Sequence, residues 1–186
     1  MTQAAGLYGK LPARGDFVRV GLPGSFVTPW DAWLQEVVAG SRDLLGADWL
    51  PAWLEAPVWR FALAGGLCGP DPVLGVLLPS VDRVGRYFPL TLAAFVGVEG
   101  AGGPEAWLDA AESAGFAALE QDATQEQVAA MLPPAPRAGG VPSAGSLWWT
   151  VGGPRVAASR RPCPALPDGA AFAGMLSDAM VPGAAA

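Results

Sequence analysis

The chain has no histidine. A Ser-His or Cys-His couple is therefore excluded, because the imidazole is the base that activates the nucleophile. Cysteine is scarce as well: Cys68 and Cys163 lie far apart in sequence. Two cysteines without histidine cannot supply an ordinary four-ligand zinc site. No metal, no cofactor and no catalytic residue is expected. The phosphate-cradling pattern G-x-x-x-x-G-K-[ST] is missing, as is G-x-G-x-x-G after a strand. Charge is low too, at 15% of residues against about 25% in ordinary domains. Lysine has almost vanished, with Lys10 standing alone beside ten arginines. The net charge is −6 with no basic stripe, which argues against a nucleic-acid partner. The apolar stretch "YFPLTLAAFVGV" runs for twelve residues, whereas a membrane span needs about twenty. It reads as a buried strand, and no membrane insertion is expected. "MTQAAGLYGK" lacks a basic region followed by a long apolar run, so no signal peptide is expected and the thiols should be reduced and packed.

What is present is apolar and aromatic. Eight Trp and seven Phe among 186 residues are ample for the core of one domain. They are more than one small core normally needs, which places one or two Trp at an interface.

Periodicity and punctuation give the elements. "GLYGKLP" (6–12) reads as a strand ended by Pro12, followed by a glycine-punctuated loop, "ARGDFVRVGLPGS". Arg14-Gly15-Asp16 inside it reads as a turn. A helix is predicted from Thr28 as N-cap with Pro29 at its first position, and Gly40 or Gly46 ends it. Trp30, Trp33, Leu34, Val37 and Val38 make its apolar face. Residues 48–57 read as a short turn-like helix. "VWRFAL" (58–63) and "VLGVLLP" (73–79) read as an antiparallel pair, and "YFPLTLAAFV" (87–96) as a strand that Pro89 starts or bulges. Helices are predicted over 103–123 and, capped by Thr124, over 124–132. Residues 133–145 form a Pro/Gly-rich loop. "SLWWTV" (146–151) and "RVAASR" (155–160) flank "GGP" as a hairpin, with Trp148 and Trp149 on opposite faces. Asp168 caps a closing helix over 167–180, and 181–186 should fray. Strands and helices alternating in groups predict a mixed, largely antiparallel sheet with helices on its faces.

The informative stretch is "SVDRVGRYFPLT" (80–91). Charges are costly to bury unless paired, yet Asp82, Arg83 and Arg86 stand against a core strand. Two readings are open. Ser80, Asp82 and Gly85 are turn residues, and Arg83 can pair with Asp82 or Asp71 across the surface. Alternatively, the loop presents arginine forks to a carboxylate or phosphate. Asp16, Asp71 and Asp82 are the candidate acid–base carboxylates, each in a turn-like context. An enzymatic or small-ligand alternative would be an anion-binding protein or hydrolase using the Ser80–Arg86 loop.

The segments "GLYGKLPARGDFVRVGLPGSFVTPWDAWLQ" (6–35), "WRFAL" (59–63), "CGPD" (68–71) and "GVLLPSVDRVGRYFPLTL" (75–92), in that order, resemble the TagF family. This family, also called ImpM, is accessory to the bacterial type VI secretion system. "SLWWT" (146–150) and "LPDGAAFAGML" (166–176) resemble its C-terminal part, while 97–145 match least. The resemblance implies an α/β fold, a three-layer αβα sandwich, with a single TagF-like domain over 1–186. It implies a non-enzymatic, cytoplasmic, post-translational repressor of type VI secretion. Such a repressor acts through a forkhead-associated scaffold protein and, indirectly, the membrane complex. The signature positions carried over as partner- or anion-binding are Lys10, Arg14, Asp16, Asp71, Asp82, Arg83 and Arg86. Structural locking and recognition remain equal alternatives for them. Arg83 or Arg86 is expected to be substantially buried in an ion pair with Asp16 or Asp71.

Overall fold

The structure, a computed structural model, describes residues 5–97, 100–137 and 139–180. Its centre is one seven-stranded sheet in the order β2-β1-β5-β4-β3-β6-β7. The strands are β1 (Ala5–Gly9), β2 (Val18–Val20), β3 (Trp59–Leu63), β4 (Val73–Leu78), β5 (Leu90–Phe95), β6 (Ser146–Thr150) and β7 (Ser159–Cys163). All six strand pairings are antiparallel. Among the described residues the parallel character of the predicted mixed sheet shrinks to an isolated bridge between Gly97 and Arg137.

Alternation along the strands sorts the side chains into two cores. Trp59, Phe61 and Leu63 of β3, Phe95 of β5 and Trp148 of β6 face α1 (Gly24–Leu45), α2 (Trp49–Leu54) and α5 (Gly169–Leu176). Leu74, Val76, Leu90 and Leu92 face α3 (Pro104–Glu120) and α4 (Gln125–Met131). The result is the three-layer αβα sandwich. It explains why "VLGVLL" reads as an unbroken apolar run: β4 is buried on both faces along its whole length. Trp148 and Trp149 do divide between the two faces.

Six of the eight tryptophans lie in the first core, and Trp107 and Trp149 belong to the second. Trp30 and Trp148 stack in parallel, with ring centroids 6.2 Å apart and planes 3° from parallel. Trp33 and Phe61 close around them. A buried indole N–H needs an acceptor, and seven find one inside the protein. Trp30 donates to Thr91, Trp33 to the Pro167 carbonyl, and Trp49 to Ser41. Trp53, Trp59, Trp107 and Trp148 are satisfied in the same way. Trp149 is half-buried, with Arg160 over its ring. Each of the eight is fixed in the fold by packing or by its N–H.

Four boundaries differ from the sequence reading. Helix α1 starts at Gly24, not Thr28, and Pro29 lies inside it. Pro29 removes one backbone donor. Burial of Phe26 against Trp30 and Phe95 offsets that loss and draws the earlier turn into the helix. The predicted loop after β1 contains β2, which returns antiparallel along it. Residues 48–57 split into a 3-10 turn (Gly46–Asp48) followed by α2. The partner of β6 is β7, later than the predicted 155–160, because an edge position tolerates the charges and Pro162. Its arginines are engaged: Arg161 lies over Trp59, 4.8 Å from the ring centre, and donates to the Gly174 carbonyl. The predicted caps Thr124 and Asp168 are in place, Thr124 within a full capping box. The tail over 181–186 lies outside the described residues.

Arg60 clamps α3 to the sheet. Its guanidinium donates to Glu112 at 2.8 and 3.0 Å, to Asp109 at 2.8 Å and to Glu105 at 3.3 Å. These acids share one helix stripe at spacings of four and three. Beside the clamp, Gly115 lets the helix sit close: a Cβ there would meet Leu78 at 2.8 Å. Arg60→Ala is expected to cost about 1.5–3 kcal/mol, because its bonds are charge-assisted and it leaves three acids facing one another. Denaturant melts at low and high salt check this. A loss below about 0.5 kcal/mol, the level of an indifferent surface change, would count against the clamp.

Candidate functional site

The loops after β1 and β4 meet at one end of the sheet because Gly9 pairs with Leu90 and Leu78 also pairs with Leu90. Gly9 makes the approach possible. Its φ is +135°, and a Cβ would stand 2.0 Å from the Pro89 carbonyl oxygen. The next residue, Lys10, turns inward. Its ammonium donates to Asp82 at 2.6 Å, and the two side chains are 7% and 0% exposed. Ser80 reinforces the join by donating to the Lys10 carbonyl at 2.7 Å.

Asp82 is saturated. One oxygen accepts the backbone N–H of Val84 (3.0 Å) and of Arg86 (2.9 Å). The other accepts Lys10 Nζ and Arg86 Nε, the latter at 2.7 Å. Burial alone would raise the carboxyl's pKa. The Lys10 ammonium, the Arg86 backbone and guanidinium donors and the Val84 N–H overcome burial and hold it far below the usual carboxylate range. Gly85, at φ +86°, lets the chain fold back over its own carboxylate.

The expected buried arginine is not found. Arg83 and Arg86 are both exposed, and neither pairs with Asp16 or Asp71. The reason lies in the turn. Asp82 gathers the N–H groups of its own loop, so Arg86 reaches it from outside with a side chain 59% exposed. The inward cation is Lys10, supplied by the strand end. Arg86 also donates to the Gly15 carbonyl. Arg83 donates through its backbone to the Arg14 carbonyl (2.9 Å) and through its guanidinium to the Ala13 carbonyl (3.1 Å). The arginine loop thus straps the 13–15 segment by its backbone. Arg14 and Asp16 lie beside Arg83 in a shallow polar groove with Arg19 and Gln125, and both are exposed. Asp71 is not part of the cluster. It sits in the turn before β4, at the other end of the strand from Asp82, and is exposed.

The geometry bears on chemistry. Ser80 is buried and its hydroxyl is committed to a carbonyl, so it is no poised nucleophile. Asp82 has no vacant oxygen for general-base work. Among the described residues, no group of three or more Cys, Asp or Glu could hold a metal ion. Both cysteines are free thiols, and burial pushes Cys68 up to about 11. No helix is long and apolar enough to cross a membrane among the described residues.

Sequence reasoning did not find two members of this end of the molecule. Phe17 is 46% exposed. It stacks on Tyr8 (5.9 Å) and lies 4.9 Å from both the Phe88 ring and the Lys10 ammonium. Arg42 reaches the same region from α1. The signal was present, since Gln35, Val38, Ala39 and Arg42 fall on one helix stripe at spacings of three and four.

No curated protein matches the chain. A solved structure does: the chain is similar to the crystal structure of PA0076 from Pseudomonas aeruginosa PAO1, determined at 2.05 Å resolution. The identity is 38%, 94% of each chain is covered and the TM-score is 0.82. The family of the TagF N-terminal domain, described as type VI secretion system-associated, matches residues 6–134. That span holds the strapped arginine loop and its Lys10–Asp82 anchor, and with it the chain belongs to the TagF family of type VI secretion system-associated proteins.

Proposed function

We propose that this chain is a non-enzymatic, cytoplasmic regulator of type VI secretion that represses the system post-translationally by binding its forkhead-associated scaffold protein. Family membership supports the accessory role. The observation that carries the binding role is the arginine loop. Exposed Arg83 and Arg86, with Arg14 beside them, sit on a backbone fixed by the buried Lys10–Asp82 pair. A rigid loop that displays guanidinium groups loses little entropy on meeting a partner. The residues assigned to this face are Lys10, Arg14, Asp16, Asp82, Arg83 and Arg86, with Lys10 and Asp82 as its support. Residues 1–186 act as one domain in this reading, which β6 and β7 support by completing the sheet begun by β1 to β5.

Co-purification with the forkhead-associated protein, with calorimetry on the purified pair, tests the reading directly. A complex with the wild-type chain and raised secretion on its deletion are expected. No complex together with unchanged secretion would remove it. Arg83→Ala is expected to change folding stability by no more than about 0.5 kcal/mol, as for other exposed sites, while weakening the complex. Melts and calorimetry on the same preparation check both halves. Full binding by Arg83→Ala would take this residue out of the contact.

A further inference from the structure

Beside the anchored loop lies an open groove of 540 Å³. One wall is α1, through Val38, Ala39 and Arg42. The other is the segment from Gly85 to Phe88, and Lys10 and Phe17 close one end. Every charged residue lining it is a cation: Lys10, Arg42 and Arg86. That is unexpected by composition, because acids outnumber bases 17 to 11 in this chain. The compensating Asp82 lies behind Lys10, fully buried and saturated. It neutralises one of the three cations and leaves an excess of positive charge facing the opening.

The donors are only partly filled: Arg86 gives Nε to Asp82 and Nη2 to the Gly15 carbonyl, which leaves Nη1. An ammonium carries three N–H donors. Among the described residues Lys10 gives one to Asp82 and holds its head 4.9 Å over the Phe17 ring. The Arg42 guanidinium lies 4.2 Å over Trp49. Stacking fixes its plane, and no hydrogen bond from its side chain to another described residue accompanies it. Asp31, one turn before Gln35 on α1, is occupied by the Tyr8 hydroxyl and the Gln35 amide. Next to these donors the lining is apolar, with Val38, Tyr87 and Phe88 around half-exposed Phe17. Cations beside an apolar floor suit a peptide that carries acidic and apolar side chains in turn. The C-terminal half of α1, not a helix N-terminus, borders the groove, so the donors on offer are side-chain forks suited to carboxylate.

We propose that this groove receives a short acidic segment of the partner protein. An aspartate or glutamate carboxylate meets Lys10, Arg42 and Arg86, and a neighbouring apolar side chain lies on Phe17. The proposal deepens the functional reading above and rests on it for the partner being a protein. Arg42 is the discriminating residue. It is exposed, lies outside the Lys10–Asp82–Arg86 cluster, and can be changed without disturbing the anchor.

The probe is a short fluorescein-labelled peptide of alternating aspartate and leucine, with its asparagine–leucine counterpart as control, read by anisotropy on the full chain. The acidic peptide should bind at least about tenfold more tightly than the control and weaken as salt rises. Arg42→Gln should lose roughly tenfold, the scale of one charge-assisted bond, with a melting temperature lowered by no more than about 4 °C, the loss of the Trp49 contact. Absence of acidic-peptide binding overturns the proposal. So does equal binding of the two peptides, or full affinity in Arg42→Gln. The forkhead-associated protein is then offered to wild type and Arg42→Gln in parallel. A complex that forms and survives Arg42→Gln while the peptide fails removes the groove and keeps the functional reading. Selective peptide binding without any complex removes the functional reading and keeps the groove.

Discussion

Asp82→Ala will cost about 3–5 kcal/mol of folding stability, the penalty for leaving one member of a buried ion pair without the other. The side chain removed is fully buried and accepts four hydrogen bonds. Its loss strands the Lys10 ammonium and opens the turn that carries Arg83 and Arg86. Lys10→Met will cost less, because Asp82 keeps Arg86 and two backbone donors. Arg86→Ala will cost least, since that side chain is largely exposed and its pairing is weakened by water. The order of the three losses, read from denaturant melts at neutral pH, is the signature of an anchor centred on the carboxylate. An Asp82→Ala loss within about 1 kcal/mol, the average for any substitution, would dissolve the anchor. The pH dependence has a definite sign. The folded-state pKa of Asp82 is depressed, so its contribution is complete above the unfolded value of about 3.9. It is lost as pH falls through that value toward the lower folded one. Asp82→Asn should therefore flatten the acid limb of the stability curve relative to the wild type.

A chain ending at Gly145 will not fold. It retains the whole family-matched span, residues 6–134, yet loses β6, β7 and α5. Trp148, Phe172, Met175 and Leu176 are buried in the first core. Burial of each such side chain contributes about 1.5–3 kcal/mol, so their removal takes away about 6–12 kcal/mol. The whole stability of a domain is about 5–15 kcal/mol. The truncated chain would also leave Phe61 and Trp30 without their stacking partner and bare the β3 edge. The expected product shows no cooperative melt and poor amide dispersion. Trp148→Ala in the full chain is the graded control, with an expected loss of about 3–5 kcal/mol. A cooperative transition in the truncated chain would mean that the matched span is a folding unit by itself.

Much of this architecture could be read from residues alone, for local reasons. Thr124 and Asp168 announce their helices because a side-chain acceptor before a helix satisfies a free N–H. Trp148 and Trp149 reveal a strand with helices on both sides because neighbouring strand residues face opposite ways. The β3–β4 pair was legible from two apolar runs and a short Gly/Pro connection. What could not be read depended on distant contacts. Val18–Val20 is too short and too closely flanked by glycine and proline to mark itself as a strand, and only pairing with β1 makes it one. Pro29 misplaced the start of α1 because the burial of Phe26, which decides it, comes from β5. The candidate site was half legible. The charged loop was recognised, and Lys10 was among its signature residues. Which cation turns inward was set by the end of β1 lying across the loop, a fact of topology. Asp71, expected beside the other candidate residues, lies apart from them because β4 carries it to the opposite end of the sheet.

The outer strand β7 has a consequence for how this protein meets others. Pro162 interrupts its row of donors, and both of its arginines are engaged on indole rings. At the far side β2 is three residues long. Neither border is a template for another strand. Edge-to-edge association of copies and β-augmentation by a partner are both disfavoured at these borders. Contacts made by the loops at the strand ends and by the helical faces, unlike strand addition, depend on side-chain identity and so can be specific.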